Sequence, residues 1–308
     1  MQAHADPISH PEPATQPAGA AARLAALAVD ALLDEACLAP KPGLVDSRGN
    51  GAHVDLNLAL MCRSAHALAP AFASMAAAGA TAQAPSAPLR ETLGRLGREA
   101  EATMMAATGG VNTHRGAIWA LGLLVAAAAI EPGNTGPAQT ASLAAAIANH
   151  GDRFAPVRTG HKGEQACRDF EVAGARGQAQ AGFPHVIELG LPELRRSRAR
   201  GDSEIAARLN ALLAIMSRLD DTCVLARGGL AALQHLQASA AAVLAAGGVA
   251  TLPGRRGLRQ LDADTLASRV SPGGAADLLA ATLFLDRLDA VFDTRRPSRL
   301  SRRNHGEA

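Results

Sequence analysis

Alanine and leucine fill almost every position at which a β-strand would need a branched or aromatic side chain, and alternation of apolar and polar residues is nearly absent. The apolar residues recur instead at helical spacing. Leu24, Leu27, Ala31 and Leu32 share one face of a helix predicted over 21–38, which stops where Pro40 and Pro42 cannot continue it. A second helix is expected over 56–75 with Asp55 as its cap, and a third over 89–108, with Leu93, Leu96 and Met104 in phase. The stretch 79–88 reads as a connector between them. The run from Ala117 to Ile130 carries no charge, and it is too short for a bilayer at about 20 residues per crossing. It reads as a buried core helix. Further helices are expected over 137–149, 163–172, 184–198, 203–219, 229–246 and 275–292, which makes the chain all-α. Its parts are a tail over 1–20, one domain over 21–293 and a basic tail over 294–308.

Composition narrows the function. The 308 residues include one Trp, six Phe and no Tyr, and the net charge is +2. Base-stacking platforms and a broad phosphate-binding field both lack raw material, so nucleic acid is not an expected partner. A membrane is not expected either. Cys37, Cys62, Cys167 and Cys223 are far apart with no CxxC pair, which suits reduced, mostly buried thiols in a cytoplasmic protein. P-loop, dinucleotide-fold, zincin and α/β-hydrolase motifs are all missing.

In an all-α chain, chemistry is sought where polar clusters interrupt apolar helices. There are five such segments. The first, running from Glu35 through PKPGLVD to NGAHVD, holds Glu35, Lys41, Asp46, Asn50, His53 and Asp55. Carboxylates there can bind Mg²⁺ or accept a proton, and the lysine can neutralise phosphate; the same residues also read as a Pro-Gly loop with an Asp cap. The second, GGVNTHRG, sets Asn112, Thr113, His114 and Arg115 at the start of the apolar helix, where free N–H groups favour anions; an ordinary N-cap is the alternative. The third is HKGE with GARGQAQAGF, in which Arg176 can fork onto phosphate or simply occupy an exposed turn. The fourth, DDT followed by RGG, offers Asp220, Asp221 and Arg227, a doublet that reads as a Mg²⁺ site or a cap. The fifth, SPGGAADLL, places Ser271 and Asp277 at a helix start near an anion or in a tight turn.

Taken together and in order, PKPGLVD with Asn50, Gly51, His53 and Asp55, then GGVNTHRGAI, GARG with Gly182 and Phe183, DDT–RGG and SPGGAADLL resemble the triphosphoribosyl-dephospho-CoA synthase family. The resemblance spans nearly all of the folded chain. It implies an all-α enzyme that moves the triphosphoribosyl group of ATP onto 3′-dephospho-CoA with loss of adenine, making a prosthetic-group precursor for citrate lyase or malonate decarboxylase. The wording GGVNTHRGAIWALGLL is closer to the malonate decarboxylase branch. With that reaction, Glu35 or Asp46 is expected as base, and His53 or His114 as the group assisting adenine. Lys41, Asn50, Asn112, Thr113, Arg115, Arg176, Arg227 and Ser271 are expected to bind substrate or phosphate. Asp55, Asp220 and Asp221 are expected to hold Mg²⁺, brought as Mg-ATP. The transferase that loads the acyl carrier protein is an expected partner. Two positions depart from the family pattern: Gln178 replaces a usual Glu and Cys223 a usual Asn. An ADP-ribose-type glycohydrolase and a non-catalytic nucleotide-binding protein are the competing readings.

Overall fold

The apolar run becomes α5 (Arg115–Ile130), and every residue from Ala120 to Ile130 is buried. It is the axis of the molecule. A computed structural model describes residues 17–132 and 136–293, all helices and loops apart from one isolated two-residue β-bridge. In chain order the helices are α1 (Pro17–Cys37), α2 (Leu58–Ala67), α3 (Ala69–Ala82), α4 (Ala87–Thr108), α5, α6 (Pro137–Ala148), α7 (Lys162–Phe170) and α8 (Gly174–Gln180). A π-helical turn (His185–Gly190) leads into α9 (Leu191–Ala199), followed by α10 (Glu204–Met216), α11 (Thr222–Ala245), α12 (Leu252–Ala267) and α13 (Gly273–Asp293). Helices α1, α3, α4, α6 and α13 pack around α5. Small residues make the approach close: a Cβ on Gly79 of α3 would lie 2.1 Å from the Ala126 carbonyl oxygen. One continuous apolar core results, with a satellite of Ala36, Val45, Leu56 and Met61 beneath the loop after α1.

Several expected boundaries move for local reasons. The cap of α2 is Asn57, whose Oδ1 accepts the Leu60 N–H at 3.0 Å, while Asp55 stays in the loop. The single helix expected over 56–75 divides at Leu68, where Pro70 in the first turn of α3 lacks an N–H. The connector shrinks to 83–86, because α3 runs to Ala82 and Ser86 caps α4. The stretch Gly174–Gln180 is helical rather than a turn, and 184–198 begins as a π-turn. Helix α11 starts at Thr222, seven residues early, and bends at Gly229 (φ 68°). Helix α12 was not expected at all. Helix α1 begins at Pro17, inside the stretch read as a tail; the rest of that stretch and residues 294–308 lie outside the described residues. The four cysteines are free, with Cys37 exposed and the other three half-buried, so the expectation of mostly buried thiols is corrected.

Candidate active site

The loop after α1 is built around a buried ion pair. Lys41 turns back onto the end of α1, where its Nζ donates to the Glu35 carbonyl at 2.6 Å and to Glu35 Oε1. Both residues are sealed, Lys41 at 1% and Glu35 at 2% exposure. The Lys41 N–H donates to Asp46 Oδ2 at 2.8 Å, and the Arg48 N–H donates to Asp46 Oδ1 at 2.8 Å. The Arg48 guanidinium then bridges Asp46 and Asp262 of α12. Burial works to raise the Asp46 carboxyl, but the Arg48 guanidinium and the two N–H groups outweigh it and hold it below its ordinary value. Gly43 (φ 66°) closes the assembly: a Cβ there would lie 2.4 Å from the Val270 carbonyl oxygen.

This geometry bears on three sequence expectations, the base role of Glu35 or Asp46 and the phosphate role of Lys41. Glu35, Asp46 and Lys41 face one another and the backbone: the Lys41 ammonium is spent on Glu35, and both Asp46 oxygens accept N–H groups. They set the loop. What the loop presents outward is Asn50, exposed at its turn, together with His53 and Asp55.

The other motifs meet at helix starts. Asp221 caps α11 with Oδ1, which accepts the Cys223 N–H at 2.8 Å, and its Oδ2 accepts the Ala275 N–H at 2.9 Å in the first turn of α13. Asp277, one turn along α13, accepts the Ala117 N–H in the first turn of α5. Its carboxyl rests on the bare Cα of Gly116, where an added Cβ would lie 2.1 Å from Oδ2. Helix α8 joins at the side: Trp119 Nε1–H donates to the Ala175 carbonyl at 3.1 Å, and a Cβ on Gly174 would lie 3.4 Å from Thr222. The N-termini of α5, α11 and α13 therefore converge, and their first-turn N–H groups are largely taken up by the Asp221 and Asp277 carboxyl groups.

Around this junction stands a rim of arginines. Arg227 donates to the Ala52 carbonyl at 3.4 Å and to His53 Nδ1 at 3.2 Å, and His53 Nε2 lies 2.9 Å from Ser271 Oγ. Since Nδ1 accepts from a guanidinium, the proton of the ring sits on Nε2 and points to Ser271. Burial, then the Arg227 charge, pushes His53 down to about 4, so it is neutral near pH 7. Arg115 spends its Nε–H on Glu101 Oε2 at 2.8 Å and keeps its guanidinium tips, and Asn112 Oδ1 accepts the Arg115 N–H at 3.2 Å. Arg176 is exposed on α8, and its charge helps depress Arg90, after burial.

His114 lies deeper than its motif suggests. The Thr113 hydroxyl donates to Ser64 Oγ at 2.6 Å, and Ser64 in turn lies 2.8 Å from His114 Nδ1. The ring is 2% exposed, and burial, then Lys41, pushes it down to about 3. The sealed ring joins α2 to the start of α5 through Ser64, and its Nε2 meets no partner. The three expected metal ligands do not meet. Asp221 has both oxygens filled by backbone N–H groups, Asp220 is exposed and faces Gln237, and Asp55 stands beside His53 with its side chain 67% exposed. Among the described residues no three His, Cys, Asp or Glu side chains converge on one point.

Arg48, Asp262 and Ser64 join the site without having stood among its expected residues, and Asp277 does so without having been given a role. Asp277 belongs to a motif, and the two glycines before it were the available signal. Ser64 had none, being a lone hydroxyl in an apolar helix. At the two departures from the family pattern, Gln178 Oε1 lies 3.0 Å from His185 Nδ1, and the Cys223 thiol packs where a Cβ on Gly273 would come within 3.1 Å.

No described helix is long and apolar enough to cross a membrane. Residues 21–296 match the model of the family described as ATP:dephospho-CoA triphosphoribosyl transferase. A Pseudomonas fluorescens protein named as a probable 2-(5''-triphosphoribosyl)-3'-dephosphocoenzyme-A synthase is 58% identical over 287 residues, covering 93% of this chain and 97% of that one. An Azotobacter vinelandii protein of the same name is 60% identical, over 88% and 93% of the two chains. A Klebsiella pneumoniae protein named 2-(5''-triphosphoribosyl)-3'-dephosphocoenzyme-A synthase is 60% identical over 86% and 94%. With the motifs converging on one junction and the match running the length of the helical domain, the chain belongs to the ATP:dephospho-CoA triphosphoribosyl transferase family.

Proposed function

We propose that this transferase moves the 5-triphosphoribosyl group of ATP to the 2′-hydroxyl of 3′-dephospho-CoA, releasing adenine and leaving 2′-(5″-triphosphoribosyl)-3′-dephospho-CoA. The observation that carries the reading is the convergence of the α5, α11 and α13 N-termini inside a rim of Arg115, Arg176 and Arg227. A triphosphate carried through the reaction intact needs a polyanion cradle, and forked guanidinium groups supply one without any covalent chemistry. Mg²⁺ comes with the substrate as Mg-ATP, a mode in which phosphates fill most of its coordination sphere and one or two carboxylates suffice. Asp55, exposed beside Arg227 and His53, is the carboxylate best placed to take a share.

The chemistry is displacement at C1″ of the ribose. Adenine leaves through a transition state with oxocarbenium character while the acceptor hydroxyl attacks, as in glycoside cleavage. The Arg115, Arg176 and Arg227 guanidinium groups hold the triphosphate at the rim, over helix starts capped by the Asp221 and Asp277 carboxyl groups. His53, neutral and fixed between Arg227 and Ser271, orients the arginine.

The product serves as precursor of the prosthetic group of malonate decarboxylase, handed in the cytoplasm to the transferase that loads the acyl carrier protein. Support for that finer assignment is the wording of the GGVNTHRGAIWALGLL segment. Chromatography of purified protein with ATP, Mg²⁺ and 3′-dephospho-CoA tests the reaction: adenine should appear together with an adduct of the expected mass, and only when the acceptor is present. Adenine formed without acceptor would make the protein a glycohydrolase. No adenine at all would make it a binding protein.

A further inference from the structure

Helix α4 turns a row of Arg90, Gly94 and Arg98 toward the loop before α7, and Asp152 of that loop sits against it. The missing side chain of Gly94 makes the room: a Cβ there would lie 2.0 Å from Asp152 Oδ2. Asp152 Oδ1 accepts the Phe154 N–H at 2.9 Å, which leaves Oδ2 to face both arginines, Arg98 Nη1 at 2.9 Å and Arg90 Nη1 at 3.6 Å. The Arg90 guanidinium lies over the Trp119 ring at 4.9 Å, and its Nε is buried with no partner. Trp119 also fastens α8 alongside through its bond to the Ala175 carbonyl, so that the next residue, Arg176, brings a third positive charge to the group. The three acids of α4 are committed elsewhere: Glu91 pairs with Arg153, Glu99 with Arg95 and Glu101 with Arg115.

The arginines around α9 and the start of α10 are built the opposite way. Arg198 meets Glu204 and Asp286, and Arg200 meets Glu193 and Asp202, so each guanidinium has two carboxylates. At α4 two guanidinium groups share one carboxylate oxygen and a third stands beside them. Burial lowers Arg90 below its ordinary value, Asp152 works against this, and the Arg176 and Arg98 charges add to it. A surplus of positive charge held in place by a sealed aspartate and an indole ring is suited to a phosphate ligand, which guanidinium groups grip in a fork.

We propose, on the reading of the reaction given above, that Arg90, Arg98 and Arg176 bind the diphosphate of the acceptor, 3′-dephospho-CoA. The acceptor carries that diphosphate on the 5′ carbon of the same ribose whose 2′-hydroxyl attacks. Its site must therefore adjoin the triphosphate of the donor without coinciding with it. Arg176 stands at that boundary, shared between the rim and the α4 row, and Arg115 lies one turn before Trp119 on α5. The cluster makes and breaks no bond; it fixes the acceptor so that its hydroxyl meets C1″.

The test compares wild type with Arg98→Gln, which leaves Arg90 on Asp152, after thermal melts show that both are folded. KM for 3′-dephospho-CoA should rise by roughly 10- to 100-fold, the loss of one charged hydrogen bond, with kcat and KM for ATP little changed. Adenosine offers the same 2′-hydroxyl without a diphosphate; it should be a poor acceptor for wild type and no poorer for the variant. Arg90→Gln should show the same selective loss, which covers the case in which the first variant fails to fold. A rise in KM confined to ATP would assign the cluster to the donor, and an equal rise for both substrates or no change would reduce it to a surface ion-pair network; each overturns the proposal. Failure of wild type to release adenine with 3′-dephospho-CoA present would instead remove the reaction itself. Calorimetric titration of 3′-dephospho-CoA without ATP then still decides the cluster: Arg98→Gln should bind it roughly 10- to 100-fold more weakly, and an unchanged affinity would overturn the site.

Discussion

The loop after α1 and the junction of helix starts both bury acidic side chains, yet they treat them in opposite ways. In the loop each charge has a partner: Lys41 meets Glu35, and Arg48 bridges Asp46 and Asp262. At the junction the carboxyl groups have backbone N–H groups and one another, and the arginines stand on the rim. The first arrangement holds Asp46 below its ordinary value, and the second raises Asp221 and, further, Asp277. Full pairing gives a rigid support. Pairing without a cation leaves the carboxyl groups raised, and perturbed groups of this kind gather where chemistry occurs.

The sharpest way to break the comparison is to remove one partner from the paired region. Lys41→Ala strands the Glu35 carboxylate in a sealed site, and this should cost about 3–5 kcal/mol of stability, read from chemical denaturation. A midpoint close to wild type would show that the pair is not structural. A smaller effect is expected at the junction from Gly116→Ala, whose methyl group must push the Asp277 carboxyl aside. Overpacking there should cost roughly 1–3 kcal/mol, and adenine release should fall even at temperatures where the variant is fully folded. Full activity in a folded Gly116→Ala protein would mean that the Asp277 position is not critical.

A third, milder effect is set by pH. His53 and His114 have folded values of about 4 and about 3, below the 6.5 of an unconstrained histidine. Below that ordinary value the unfolded chain binds protons that the folded one refuses. Their contribution is therefore complete above about pH 6.5 and is lost as pH falls from there toward 4. Denaturant midpoints measured across that window should decline on acidification, with a smaller decline in His114→Gln. An identical slope in that variant would remove His114 from the account.

The sequence carried much of this and concealed the rest for identifiable reasons. Helix α5 was legible because a charge-free run flanked by Arg115 and Glu131 has few other ways to be buried. Helix α12 was not, since GRRGLRQLDADT is polar, carries two glycines and buries few side chains. The Asp220–Asp221 doublet suggested a shared cation, but adjacent residues at a helix start point in different directions, and only Asp221 turns inward. Motif membership singled out Glu35 as a base and Lys41 as a phosphate ligand, and the structure pairs them with each other. It was silent on burial, which is what separates a charge that holds a loop from one that meets a substrate.

The measurement that weighs the two regions most directly is the thermal shift produced by Mg-ATP in wild type, Arg227→Ala and Arg48→Ala. A ligand bound only by the folded state raises the midpoint in proportion to how far its concentration exceeds Kd. Wild type should shift upward, Arg227→Ala should lose most of that shift from a nearly unchanged starting midpoint, and Arg48→Ala should start lower yet keep the shift. A shift preserved in Arg227→Ala and lost in Arg48→Ala would place the nucleotide on the loop and contradict the account.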